Sequence, residues 1–238
     1  RLDRRYTLTP GTFRITIDRT IENLTNQGLS VTWQSAGPID LPMPVTRYGG
    51  DKRRVRFGYL FNEKTQAGFE TVTPDGELMG RGTALGKRET NAAGYEGWKG
   101  TAPLWPNKKI ADEDDRLVWC AFTDRYFGVT VHPIFDPANP GANGENKVFA
   151  DVSTLDRLVL NPYLPKKEAD STVMIMRVNA TPETIAAGAS STTTTGVYAG
   201  PLLKDTLTAD PLLASLNLDG LIAYNFGGPC GEMCTFSW

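Results

Sequence analysis

The sequence predicts a mainly β fold: a β-super-sandwich of two large antiparallel sheets with a short C-terminal helical segment. Three observations predict it. Apolar and polar residues alternate with period two along most of the chain, as where Phe13, Ile15 and Ile17 are set against Arg14, Thr16 and Asp18. The short alternating runs are punctuated by 24 Gly and 16 Pro, the turn signals of sandwiches and barrels. An apolar stripe with helical spacing is confined to residues 201–216.

The elements follow in order. Phe13, Ile15 and Ile17 make one strand, and Leu29, Val31 and Trp33 another after the turn at Asn26, Gln27 and Gly28. Val55, Phe57 and Tyr59 alternate after a basic loop. Residues 117–123 and 126–131 are separated by Asp124 and Arg125 and read as a tight hairpin. Residues 155–160, 172–178 and 193–199 supply three more strands. In the helical segment Leu202, Leu203, Leu207, Leu212, Leu213 and Leu216 face one side, as a core-packing helix or one lying on a membrane. Asp210 and Pro211 form an N-cap and first-turn pair, so two short helices fit as well as one. Residues 74–106 and 136–146, rich in turn formers, read as long loops. No repeat or domain linker is visible.

With 40% hydrophobic and 22% charged residues, the 238-residue chain can bury a sizeable core. A net charge of -2 gives no whole-chain footprint for nucleic acid. No apolar run reaches the roughly 18 to 20 residues of a membrane span, so the chain reads as soluble when taken alone. One histidine, His132, rules out a multi-histidine metal site and is the only candidate base for a serine triad. Three cysteines are too few for a disulfide framework.

Several residues invite chemistry. Arg47, Lys52, Arg53, Arg54 and Arg56 form the densest charge cluster, suited to lipid headgroups or an acidic partner, or else to a solvated turn. Asp112, Glu113, Asp114 and Asp115 read as a solvated acidic turn, and His132 as structural or exposed. Cys120 reads as a core residue, while Cys230 and Cys234 fit either a local disulfide or free thiols. Asn23 and Asn179 fit the N-glycosylation pattern by spacing alone.

The C-terminal region is the most distinctive. A strand ends in Tyr198, Ala199, Gly200 and Pro201, a leucine-rich helical stretch follows, and the chain exits through Leu218, Asp219, Gly220, Tyr224 and Gly227. This order resembles the end of the large periplasmic domain of the bacterial YidC membrane-protein insertases. Further points of likeness are Trp119 in a central strand, the pair Tyr126 and Phe127, Pro133 after the next strand, and Ala187 and Gly188 before the last. The insertion at 136–146 and the exit at 227–234 depart from the family's pattern.

The resemblance implies a super-sandwich like that of galactose mutarotases over residues 1–223. It also implies an exit segment at 224–238, leading toward a transmembrane helix; Phe226, Met233, Phe236 and Trp238 suit the membrane interface, or else the segment is an ordinary strand completing a sheet. It implies a non-catalytic domain of an insertase or chaperone on the periplasmic face of the bacterial inner membrane, without cofactor, metal or nucleic acid. Partners would be the rest of the same membrane protein, secretion-machinery subunits, nascent membrane proteins and the membrane surface. The alternative is a mutarotase-like carbohydrate-active enzyme or sugar-binding module.

Overall fold

The computed structural model describes residues 1–43, 51–60, 79–106, 116–141, 144–165, 168 and 171–222. It is mainly β and built in three layers. The central layer is a seven-stranded sheet in the order β1 (Leu2–Leu8), β2 (Arg14–Glu22), β15 (Ser190–Pro201), β11 (Phe127–Pro133), β10 (Arg116–Thr123), β5 (Arg54–Leu60) and β6 (Met79–Gly80). One outer layer is a four-stranded sheet in the order β4 (Gln34–Ile39), β13 (Met174–Ala180), β12 (Val152–Val159) and β9 (Thr101–Trp105). Every pairing in both sheets is antiparallel. Two small hairpins complete the strands: β3 (Leu29–Val31) with β14 (Glu183–Ile185), and β7 (Arg88–Thr90) with β8 (Glu96–Trp98).

The other outer layer is helical. The stretch expected to be helical forms two short helices, α2 (Lys204–Ala209) and α3 (Pro211–Ser215), then a 3-10 turn at Leu218–Leu221. Asp210 causes the break. Its carboxylate accepts the N–H groups of Leu212 and Leu213 at 2.9 and 3.3 Å, capping α3, and Pro211 takes the first helical position. The same carboxylate pairs with Arg14 of β2 at 3.0 Å and so fastens the helix to the sheet.

The two faces of β10 and β5 explain why their sequences are apolar almost without interruption. Phe57, Cys120, Phe122, Leu155, Met174 and Met176 belong to a core between the two sheets. Val118, Trp119, Ala121 and Tyr198 belong to a second core with Leu207, Leu213, Leu216 and Leu218 under the helices. A bulge between Leu117 and Trp119 adds one residue to β10 and turns the Trp119 indole to the helical side. Its Nε1–H donates to the Leu216 carbonyl at 3.0 Å. The hairpin from β10 to β11 is closed by Asp124, whose carboxylate accepts from the N–H groups of Tyr126 and Phe127 at 2.7 Å each.

Sequence and structure part at several places. Residues 79–105, expected to lie in a long loop, contain a five-residue helix α1 (Arg81–Leu85), the β7–β8 hairpin and the edge strand β9. Their glycines and threonines hide strands of three to five residues, too short to show alternation. Asn23 is fully buried, with its Nδ2 donating to the carbonyls of Gln27, Ile185 and Ala186, so its amide joins two loops and is not a glycosylation acceptor. Cys120 is a buried core residue, as expected. The exit segment 224–238 lies outside the described residues. No helix among the described residues is long and apolar enough to cross a membrane.

Gly58 sits across from Trp119, and a Cβ there would fall 2.2 Å from the indole. Gly58→Ala is therefore expected to destabilise by about 1–3 kcal/mol through overpacking. The melting temperature should fall by roughly 2–4 °C for each kcal/mol. A calorimetric scan unchanged from the parent would show that the indole is not held against this glycine.

Candidate functional site

The described members of the basic cluster are turned largely inward and leave little surface for lipid or an acidic partner. Lys52, Arg53 and Arg56 are buried. Arg54 is half-buried, and its Nη1 donates to the carbonyls of Asp51 and Arg53 at 3.0 and 2.8 Å. Arg53 lies in a fork on Asp51, with Nε and Nη2 each 2.9 Å from its carboxylate oxygens, and its Nη1 reaches the Leu41 carbonyl. Asp40 lies between Arg53 and Arg81, with Arg81 Nε at 2.6 Å and Arg53 Nη1 at 3.8 Å. Arg81 also donates to the Thr172 carbonyl. Burial pushes the Asp40 carboxyl up, against the pull of Arg81 and Arg53. Burial also acts on Asp51, but the hydrogen bonds and charge of Arg53 outweigh it and hold that carboxyl below its usual range. These arginines stitch α1, β4 and β5 together. A run of charges reads as solvated in sequence because nothing local reveals the carboxylates that will enclose it.

His132 is also structural. It is fully buried on the helical side of β11, with Nδ1 2.8 Å from the Pro133 carbonyl and the ring over Gly196 of the neighbouring strand. Burial pushes its pKa down to about 4, so the ring is neutral near pH 7. Arg47, the acidic run 112–115, Cys230, Cys234, Phe226, Met233, Phe236 and Trp238 lie outside the described residues.

The feature best suited to binding is one that the sequence did not flag. A cleft of about 160 Å³ opens between the sheets, walled by Trp33 just before β4, by Pro38 within it, and by Ile17, Arg19, Val131 and Val197 of the large sheet. Asp151 is its one carboxylate among the described residues. Arg19 donates to Thr195 Oγ1 at 3.1 Å, whereas the buried Trp33 Nε1–H has no partner among the described residues. Burial, then the charge of Arg4, holds the Arg19 guanidinium below its usual value, with Tyr6 and Asp151 opposing. An apolar cavity near 150 Å³ holds about one benzene ring. Pockets for drug-sized ligands span roughly 300–1,000 Å³. The cleft therefore has room for a single large side chain.

Beyond the cleft its floor continues into the open. Register pairs Leu8 with Ile15, Tyr6 with Ile17, Arg4 with Arg19 and Leu2 with Ile21. Directly opposed residues of an antiparallel pair share a face. Ile17 and Arg19 line the cleft, so all four rungs lie on the cleft side. Among the described residues no strand of the small sheet pairs with β1, and Leu2, Tyr6 and Leu8 are 51%, 58% and 70% exposed. No cluster of three or more metal-ligating side chains occurs among the described residues.

No protein-family model matches the chain, and a search of curated proteins finds no match. Several solved structures align with much of the chain. The Slr1438 protein of Synechocystis sp. PCC 6803 aligns at 10% identity and a TM-score of 0.39, over 84% of this chain and 54% of that one. A TPR-domain containing protein of Parabacteroides distasonis aligns at 8% identity and 0.41, over 82% of this chain and 29% of that one. A candidate aldose 1-epimerase of Klebsiella pneumoniae aligns at 12% identity and 0.41, over 92% of this chain and 50% of that one. The chain thus spans about half the length of the first and third and less than a third of the second. Likenesses this distant bear on neither activity nor ligand.

Two measurements follow from the buried groups. Asp40→Ala leaves two buried guanidinium groups without their shared carboxylate, and loss of one partner of a buried pair costs about 3–5 kcal/mol. Urea unfolding should show that loss as a lower midpoint, and an unchanged midpoint would refute it. His132, the sole histidine, gives one imidazole resonance by NMR. Its folded pKa lies below the unfolded value of about 6.5, so histidine-linked stability is constant above that pH. It falls as pH drops from there toward about 4. The resonance in the folded protein should titrate near 4, and a midpoint above 6 would contradict the buried placement.

Proposed function

We propose that the chain is the non-catalytic β domain of a YidC-type membrane-protein insertase. It acts on the periplasmic face of a bacterial inner membrane by contact with partner or substrate chains. The observation that carries this reading is the way the chain leaves the sheet. β15 runs through Tyr198 and Ala199 to Pro201, and the Tyr198 hydroxyl donates back to the Pro201 carbonyl. Two short helices and the turn containing Leu218 and Asp219 then fold onto the helical core. This is the order of elements that, in the family the sequence resembles, precedes a membrane span. Docking through Leu216 and Asp210 gives such a tether a fixed point of departure near Ile222.

A binding role is also supported by what surrounds the cleft. Acid–base work on a sugar ring needs an acid and a base facing one ring. The lining residues include one carboxylate, and His132 lies on the opposite face of β11 from Val131. This arrangement favours contact over turnover and leaves the mutarotase-like enzyme as the weaker alternative.

Two readouts test the proposal. The coding sequence is expected to encode an apolar run of about 20 residues shortly after Trp238; its absence would overturn the insertase reading. Purified chain is expected to interconvert sugar anomers no faster than buffer. A catalysed rate abolished by Asp151→Asn would replace the proposal with the enzyme.

A further inference from the structure

We propose that the uncovered face of β1 and β2 docks an extended polypeptide segment in which one carboxylate is flanked on both sides by apolar residues at alternate positions. The inference goes beyond the insertase reading and does not depend on it. It requires only the strip and the adjoining cleft.

The two faces of this strand pair are built on different plans. On the face away from the cleft, charges are matched: Arg5 stands opposite Asp18, whose carboxylate also accepts from Thr194. On the cleft face Arg4 stands opposite Arg19, and like charges placed directly across a ladder repel. Arg4 has no ion pair among the described residues, and Asp151 is the one carboxylate that acts on Arg19, so an arriving carboxylate would meet two guanidinium groups against a single charge of its own sign. Apolar rungs flank the arginine pair, with Leu2 and Ile21 on one side and Tyr6 and Ile17 on the other.

Successive rungs are about 6.8 Å apart, the repeat of alternate residues in an extended chain. A segment reading apolar, acidic, apolar, apolar at every second position therefore matches the strip rung for rung. The adjoining cleft, which Arg19 and Trp33 both line, can hold one of its side chains. A second copy of the strip is a poor occupant, because it would bring four arginines together. A membrane surface is also a poor match, since it favours charges at the rim of an apolar patch and here they interrupt it.

The test uses a fluorescently labelled peptide, GSLSESLSLSG, with the 238-residue chain, read by anisotropy. Saturable binding is expected. Replacing the peptide's glutamate by glutamine, or Arg4 by Ala, should weaken it about tenfold or more, the scale of a lost charge-assisted hydrogen bond. Arg4 is exposed on an edge strand, so Arg4→Ala should melt with the parent protein. Arg4→Glu should prefer a peptide carrying lysine in place of glutamate, a swap that lost folding could not produce. No binding, or equal binding of the glutamate and glutamine peptides, overturns the proposal. Arg4-dependent binding to phosphatidylglycerol vesicles without peptide binding also overturns it and gives the strip to a lipid surface.

Discussion

The structure depends on one strand that must satisfy two cores at once. β10 sends Cys120 and Phe122 toward the small sheet and Trp119 and Ala121 toward the helices. A regular strand could not also place Val118 beside Trp119, and the extra residue of the bulge makes this possible. The indole then fills the space left by the missing side chain of Gly58 and reaches the Leu216 carbonyl at the end of α3. The helices themselves are too short to hold together alone. Their order is borrowed from the sheet, through the indole on one side and the pair of Arg14 with Asp210 on the other.

Charge is distributed by a similar division. Arg53 and Arg54, in the densest run of charge in the sequence, are held by the Asp51 carboxylate and by backbone carbonyls. Arginines at 4 and 19, far apart in the chain and unremarkable there, are brought face to face at the open end of the sheet. Density of charge along a chain thus gives no direction. Direction comes from the parity of a residue within its strand and from what the opposite strand supplies.

The same reasoning separates what the sequence reveals from what it hides. Long alternating runs such as residues 13–17, and the apolar run of β10, announce strands because burial on one or both faces leaves its mark on every second or every residue. Asp210 followed by Pro211 marks the helix break through local chemistry alone. The strands β7, β8 and β9 escape notice because three to five residues are too few to establish a period. The cleft is hidden for a different reason. Its walls come from strands of both sheets, among them β2, β4, β11, β13 and β15, and only the fold brings Arg19 and Trp33 into one lining. Leu2, Tyr6 and Leu8 of β1 stay exposed because β1 is the edge of the large sheet, a position that no local pattern announces.

β4 links the cleft to the buried charge network. Ser35, Gly37 and Pro38 along the strand and Trp33 just before it line the cleft, and Asp40 just after it meets Arg53 and Arg81. The strand's length therefore cannot drift freely: a residue gained or lost between Pro38 and Asp40 would pull the buried carboxylate from its arginines or shift the wall of the cleft, so the cleft is gauged by an ion pair two residues beyond its own lining.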